Sequence, residues 1–254
     1  MKRSFNAILA LLIFGCMGLY SQTIPTAWNL DTQGDYSLTE WAATNAAGTY
    51  PASMRFHFMA VKDPSITVEG TSDYTEAYNL TAMAKVYGLG ENGIAFQNNS
   101  GGKQGMALLA LNTKNRNTIE ISWTGRTIAL NVGRVFAITL QYKLPNDAGW
   151  TTLNSYVEQN NASSVAGSSQ AIPAVTLPES LEDQDVVYLR WVYNYVSGGG
   201  GRPKIGFDDV LITSQSNAGL PKAIALKEMS SEFVSVGVPF NFTIKPVGDE
   251  GTTK

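Results

Sequence analysis

The sequence predicts an all-β protein, a two-sheet antiparallel sandwich of jelly-roll type followed by a partial immunoglobulin-like segment. Three observations point there. Apolar residues recur at every second position in runs of strand length, with Gly, Pro, Asn and Asp between the runs. No stretch repeats them convincingly at helical spacing, so the crossover helices of a parallel α/β sheet are missing. The clearest stretch, Asp185 to Thr213, sets Val187, Leu189, Trp191, Tyr193 and Tyr195 on one row and Tyr188, Arg190, Val192 and Asn194 on the other, before Gly198 to Gly201, Arg202 and Pro203 break the pattern. Lys204 to Thr213 resumes it, and the whole reads as a hairpin around which the chain is organised.

Residues 1 to 21 read as an export signal, with Lys2 and Arg3 ahead of the apolar run Ala7 to Phe14 and cleavage near Ser21. That run is too short for a stop-transfer span. Cys16 is the single cysteine of the sequence, and Ile13-Phe14-Gly15-Cys16 offers a rival reading as a lipoprotein box, against which the bulky Phe14 counts. With cleavage at Ser21 no thiol remains, so the expected extracytoplasmic domain must stand on its apolar core and not on disulfides.

Trp28 to Thr49 is irregular, and Ser37-Leu38-Thr39-Glu40 fits a capping box opening a helical turn or two. From Ser53 strands recur. Met54, Phe56 and Phe58 alternate, as do Tyr78, Leu80, Ala82, Ala84 and Val86. Met106 to Leu111 is apolar on both faces, the mark of a central strand. Ile119, Ile121 and Trp123 alternate with polar residues, then Phe136, Ile138, Leu140 and Tyr142 form a further row, and Trp150 opens a run towards Val157. Gln159 to Gln170 is a polar surface loop. The sandwich is expected to span 22 to 214, with a linker at 215 to 221. Residues 222 to 254 then begin a second β module whose remainder, and further covalently linked domains, would lie downstream.

Composition narrows function by exclusion. Among 254 residues, 18 Lys and Arg against 21 Asp and Glu leave a net charge of −3, without a basic block to hold nucleic acid or an anionic membrane. Gly88-Leu89-Gly90-Glu91-Asn92-Gly93 matches a dinucleotide fingerprint in letters only, because a strand-like run follows where a helix is needed. His57, the single histidine, has no nucleophile elbow to serve and is too few for zinc. Carboxylates gather at Asp183 and Asp185 before the organising strand and at Asp208 and Asp209 in its partner. Oxygen ligands of this kind suit a structural calcium ion, while the bland alternative is a solvated acidic loop with one Asp paired to Arg190 across the hairpin. Nothing marks a pair of them as glycosidase acids. Aromatic side chains suggest a glycan instead, since sugar-binding modules stack exposed rings on pyranoses. Trp123 and Trp191 sit on core rows, whereas Trp28, Trp41 and Trp150 lie near turns, and Tyr188, Arg190 and Asn194 line the outward row of the organising strand.

The segments AGTYPASMRFH, AYNLTAMAKVYGLGENGIAF, LALNTKNRNTIEISWTG, RVFAITLQYKL, VYLRWVYNYVSGG and IGFDDVLIT together resemble a recurrent N-terminal β-sandwich module of secreted, type IX secretion-associated surface proteins of Bacteroidota-type bacteria. The resemblance implies a cell-surface or secreted location and downstream immunoglobulin-like, lamin-tail, nuclease or sorting domains. It carries no catalytic residue onto this chain. The expectation is therefore an exported, non-catalytic sandwich that binds carbohydrate or another surface component. A structural spacer for a missing catalytic domain and a carboxylate-dependent hydrolase stand as alternatives.

Overall fold

The computed structural model describes residues 22–130, 133–158 and 167–217. The expected signal segment, the second module and most of the linker lie outside them. Among the described residues the chain is all-β, in two sheets packed face to face as a sandwich. Its strands are β1 (Trp28–Asn29), β2 (Tyr36–Leu38), β3 (Met54–Met59), β4 (Gly70–Asp73), β5 (Lys85–Gly88), β6 (Ile94–Gln97), β7 (Gln104–Asn112), β8 (Arg116–Ala129), β9 (Arg134–Lys143), β10 (Thr151–Val157), β11 (Ser169–Thr176), β12 (Val187–Gly198) and β13 (Lys204–Ser216). One sheet, A, runs β10-β9-β12-β7-β3-β4; the other, B, runs β11-β8-β13-β6-β5, with β2 against β13. Pairing is antiparallel throughout except for the two-residue parallel contact of β1 with β7.

The expected hairpin is not one. β12 lies between β9 and β7 in sheet A, and β13 lies between β8 and β6 in sheet B, so consecutive strands occupy the centres of opposite sheets. The reason lies in the inward rows. With the two strands in opposite sheets, Trp191 stacks on Phe207 across the interior at 4.9 Å and 7°, so the inward rows of both strands bury each other. The glycine run is the arch between the layers. Gly198 has a left-handed φ of 81°, and a Cβ there would fall 1.7 Å from the Gly133 carbonyl oxygen, so only glycine fits where the arch crosses the end of β9.

Other local expectations are corrected too. Ser37 and Leu38 belong to β2, not to a helix, because Tyr36 and Leu38 bury on the core while pairing with Ile212 and Val210. Of the predicted Tyr78 to Val86 run, only Lys85 and Val86 are in strand, at the start of β5. Tyr78 and Ala84 are buried, but Leu80 is half exposed and Met83 is 74% exposed, so that alternation marks a folded loop. Of the tract read as loop up to Gln170, Ser169 already opens β11, an edge strand that is exposed almost throughout and so lacked the apolar signal.

β7 is buried along eight of its nine residues, as a strand covered on both faces should be. Its inward row meets Trp123, Trp191, Phe136, Phe207 and Phe96 in one continuous apolar core. Trp123 and Trp191 are both buried there, as expected. The cover on the outward face of sheet A is the strap of residues 60–69 between β3 and β4. Asp63 is gripped by Arg202 at 2.6 and 2.8 Å and by Arg134 at 3.0 Å, which holds its carboxyl below the ordinary range. Tyr195 N–H donates to Pro64 O at 2.8 Å, and Val68 packs on Met59, Met106 and Val192.

Candidate functional site

The outward row of β12 places its residues very differently. Arg190 is fully buried under the strap. Its Nε donates to Gln141 Oε1 at 2.9 Å, its Nη2 to Ile66 O at 2.8 Å, and its Nη1 to Val68 O at 3.3 Å and Glu69 Oε2 at 3.0 Å. Burial pulls the guanidinium down to about 10, opposed by Glu69, and it stays charged at neutral pH. Its ion-pair partner is thus Glu69 and not an aspartate of β13, which is the correction that follows from the missing hairpin. Asn194 is buried as well, its Oδ1 accepting from Thr139 Oγ1 at 2.7 Å. Tyr188 remains partly open, and burial raises its phenol.

Trp150 completes this face. Its ring lies on the Arg190 guanidinium, with the Cζ atom 4.1 Å from the ring centroid, and its Nε1–H donates to Glu69 Oε1 at 2.8 Å. Glu69 therefore binds the ring with one oxygen and the guanidinium beneath with the other. A cation–π contact plus a charge-assisted hydrogen bond fixes a partly buried indole in one orientation. Lys143 places its ammonium 5.9 Å from the same ring, and Lys143 is the cross-strand partner of Tyr188. Gln141, braced by Arg190, passes a hydrogen bond on to Thr152 Oγ1 at 3.1 Å. Trp150, Lys143, Tyr188 and Thr152 thus form an aromatic and polar platform at one side of sheet A.

The other two predicted tryptophans are elsewhere. Trp28 stands edge-on to Tyr36 at 5.5 Å, with its Nε1–H on Gly34 O at 2.9 Å. It sits in β1, where it pairs with Leu111 and so lies two strands, roughly 10 Å, from Val187 of β12, but it packs against the core cluster and not on the outward face. Trp41 packs edge-on against Tyr78 and Phe56, beside its bridge to Gly90. The structure brings together Tyr188, Arg190 and Trp150 of the six predicted contact residues and leaves Asn194, Trp28 and Trp41 in structural settings.

The four aspartates expected around calcium fall into two pairs. Asp208 is fully buried and takes both Arg126 Nε at 3.0 Å and Nη2 at 2.7 Å on a single oxygen, while Asp209 lies 3.6 Å from the same guanidinium. Burial raises the Asp208 carboxyl, with Arg126 pulling the other way. Asp183 Oδ1 accepts from Asn115 N–H at 3.1 Å, and Asp185 is largely exposed, 3.9 Å from Lys114. Among the described residues no group of three or more His, Cys, Asp or Glu converges as metal ligands would. His57, also unabsorbed by the site, is buried with its Nε2 3.3 Å from Asp73 Oδ1, and burial lowers its pKa. No helix among the described residues is long and apolar enough to cross a membrane.

Sequence reasoning missed Glu69, Lys143, Gln141 and Thr152. Cross-strand register would have found Lys143 and Gln141, because both sit opposite the outward row of β12; Glu69 reaches the site from a strap that has no sequence period.

Neither a family model nor a curated protein matches the sequence. Solved structures do. The K1 cleaved adhesin domain of Lys-gingipain from Porphyromonas gingivalis W83 is similar with a TM-score of 0.37 and 13% identity, over 72% of this chain and 99% of that one. The K3 cleaved adhesin domain of the same protein gives 0.36 and 18%, over 70% and 99%. The CBM22-1 xylan-binding domain from Paenibacillus barcinonensis Xyn10C gives 0.32 and 10%, over 70% and 91%. Likeness at this level is similarity alone, and the functional reading rests on the side chains of this chain.

Proposed function

We propose that this chain is an exported, non-catalytic binding module that holds a polysaccharide on the outward face of sheet A, as one part of a larger surface protein. The carrying observation is the Trp150 mount: a partly buried indole fixed by Arg190 beneath it and by Glu69 at its nitrogen. A ring locked in advance loses little entropy on binding, which is what a sugar-stacking platform needs. In this reading Trp150 and Tyr188 present apolar faces to pyranose rings, Lys143 and Thr152 meet hydroxyls, and Arg190 is a positioning residue that never touches the glycan. Retention on insoluble xylan, β-glucan, mannan, chitin and peptidoglycan tests it. Wild type should be retained on at least one, Trp150→Ala should lose that retention at least tenfold, and no retention on any of them would remove the reading.

The spacer alternative draws on one observation, the burial of Arg190 and Asn194 within satisfied hydrogen bonds. It expects Trp150→Ala to change stability and nothing else.

A further inference from the structure

At the opposite side of sheet A, between the end of the β3–β4 hairpin and the turn from Asn99 to Lys103, lies a recess of ≈ 510 Å³. That is the size of a small-molecule site. Its back wall is a register row: Ser72, Phe58 and Gln104 are successive cross-strand partners on β4, β3 and β7. Ladder irregularities on either side of Phe58 interrupt the strand alternation, and the Phe58 ring, partly buried against the core, lines the recess. Gln104 is 3% exposed, and its Oε1 has no hydrogen-bond partner. A buried acceptor left without a donor is unfavourable unless a bound group completes it.

The turn that closes the recess is built for close approach. Asn99 Oδ1 accepts from Gly101 N–H at 2.8 Å and Gly102 N–H at 2.6 Å, and a Cβ on Gly102 would lie 2.5 Å from the Ala84 Cβ and 2.9 Å from Gln104 Oε1. On the rim stand Glu76, half exposed and 3.8 Å from Lys85, and the exposed Lys103.

We propose that this recess is a second binding site that takes a single uncharged sugar ring, end-on and independently of the Trp150 platform. The chemistry is the pairing a pyranose presents. Its C–H face lies on Phe58, one hydroxyl donates to Gln104 Oε1, and others reach the Ser72 hydroxyl and the rim charges. A free anion is disfavoured, because the deepest polar atom is an acceptor and Glu76 guards the rim.

Saturation-transfer NMR with glucose, galactose, xylose and N-acetylglucosamine, each with the whole protein, tests the site, and melting temperatures check that variants fold. Transfer to at least one sugar is expected, strongest at its ring C–H protons and reduced at least fivefold in Gln104→Leu. Ser72→Phe, which fills the recess from the half-exposed edge strand, should do the same. Absence of transfer from all four sugars overturns the proposal. So does transfer that survives Ser72→Phe, including transfer that disappears only in Trp150→Ala and thereby belongs to the platform.

Discussion

The outward faces of the two sheets each hold a buried charge at the middle of a central strand, and they treat it oppositely. Arg190 on β12 has four oxygen acceptors and an indole against it, all drawn from a strap, a neighbouring strand and the approach to β10. Asp208 on β13 has a single guanidinium on one oxygen and the Asp209 backbone beside it, and its Oδ1 has no close hydrogen-bond donor among the described residues. A buried charge with a complete shell acts as an anchor for loops, whereas one with an incomplete shell acts as an acid whose proton affinity is shifted. The anchored side is where an aromatic ring is mounted, and that is why the platform is read there and not on sheet B.

The contrast can be broken most severely at Arg190. Arg190→Met leaves the Gln141 amide oxygen and two strap carbonyls without their donor, at about 1–3 kcal/mol each, while the 56% exposed Glu69 turns to water, so it should destabilise by about 3–5 kcal/mol in urea unfolding. Hydrogen exchange in residues 62–69 should rise with it. A loss under about 1 kcal/mol would mean the strap holds without its anchor.

Glu158 extends the series to a carboxylate that is 1% exposed, has no cation beside it among the described residues and is eased only by the Phe136 backbone. Burial pushes its carboxyl up to about 7 from the ordinary 4.5. A group raised in the folded state favours folding while protonated, so its contribution is complete below about pH 4.5 and lost as pH climbs through about 7, a range of about 3 kcal/mol. Glu158→Gln, neutral at every pH, should flatten stability measured at pH 5, 6.5 and 8. A curve that falls as steeply as that of wild type would place the titration elsewhere.

Arg126→Met should cost less, about 2 kcal/mol, because the Arg126 side chain is already 20% exposed and water can reach the vacated place. Burial holds the Asp208 carboxyl up in the same direction as Glu158, so this loss should grow as pH rises. Adding Asp208→Asn should recover most of it, and a double-mutant cycle with no coupling would show that the pair does not act together.

How much of this was legible in the sequence follows from where the signals came from. Strands with one buried row, such as Ile119 to Trp123 on β8, and the doubly buried β7 declare themselves by period. So does the identity of Trp123 and Trp191 as core. The β12–β13 pairing was misread because alternation reports which face is buried and not which sheet supplies the burial. Two central strands joined by glycines look alike whether they pair side by side or face each other across the core. Tyr188 and Arg190 were found from residue type and outward phase, and Trp150 as a tryptophan near a turn. Glu69, which joins two of them, was not, because its role depends on a strap whose path is set by Asp63 gripping Arg134 and Arg202, a contact between residues far apart in the chain.

The most direct test of the platform uses the five tryptophans as reporters. In protein carrying 5-fluorotryptophan, with the resonances assigned by single Trp→Phe variants, 19F spectra are recorded while a soluble form of the retained polysaccharide is added. The account predicts that the Trp150 resonance shifts in a saturable way while those of the buried Trp123 and Trp191 stay in place. A spectrum in which Trp150 does not move, or in which only Trp28 or Trp41 responds, would contradict it.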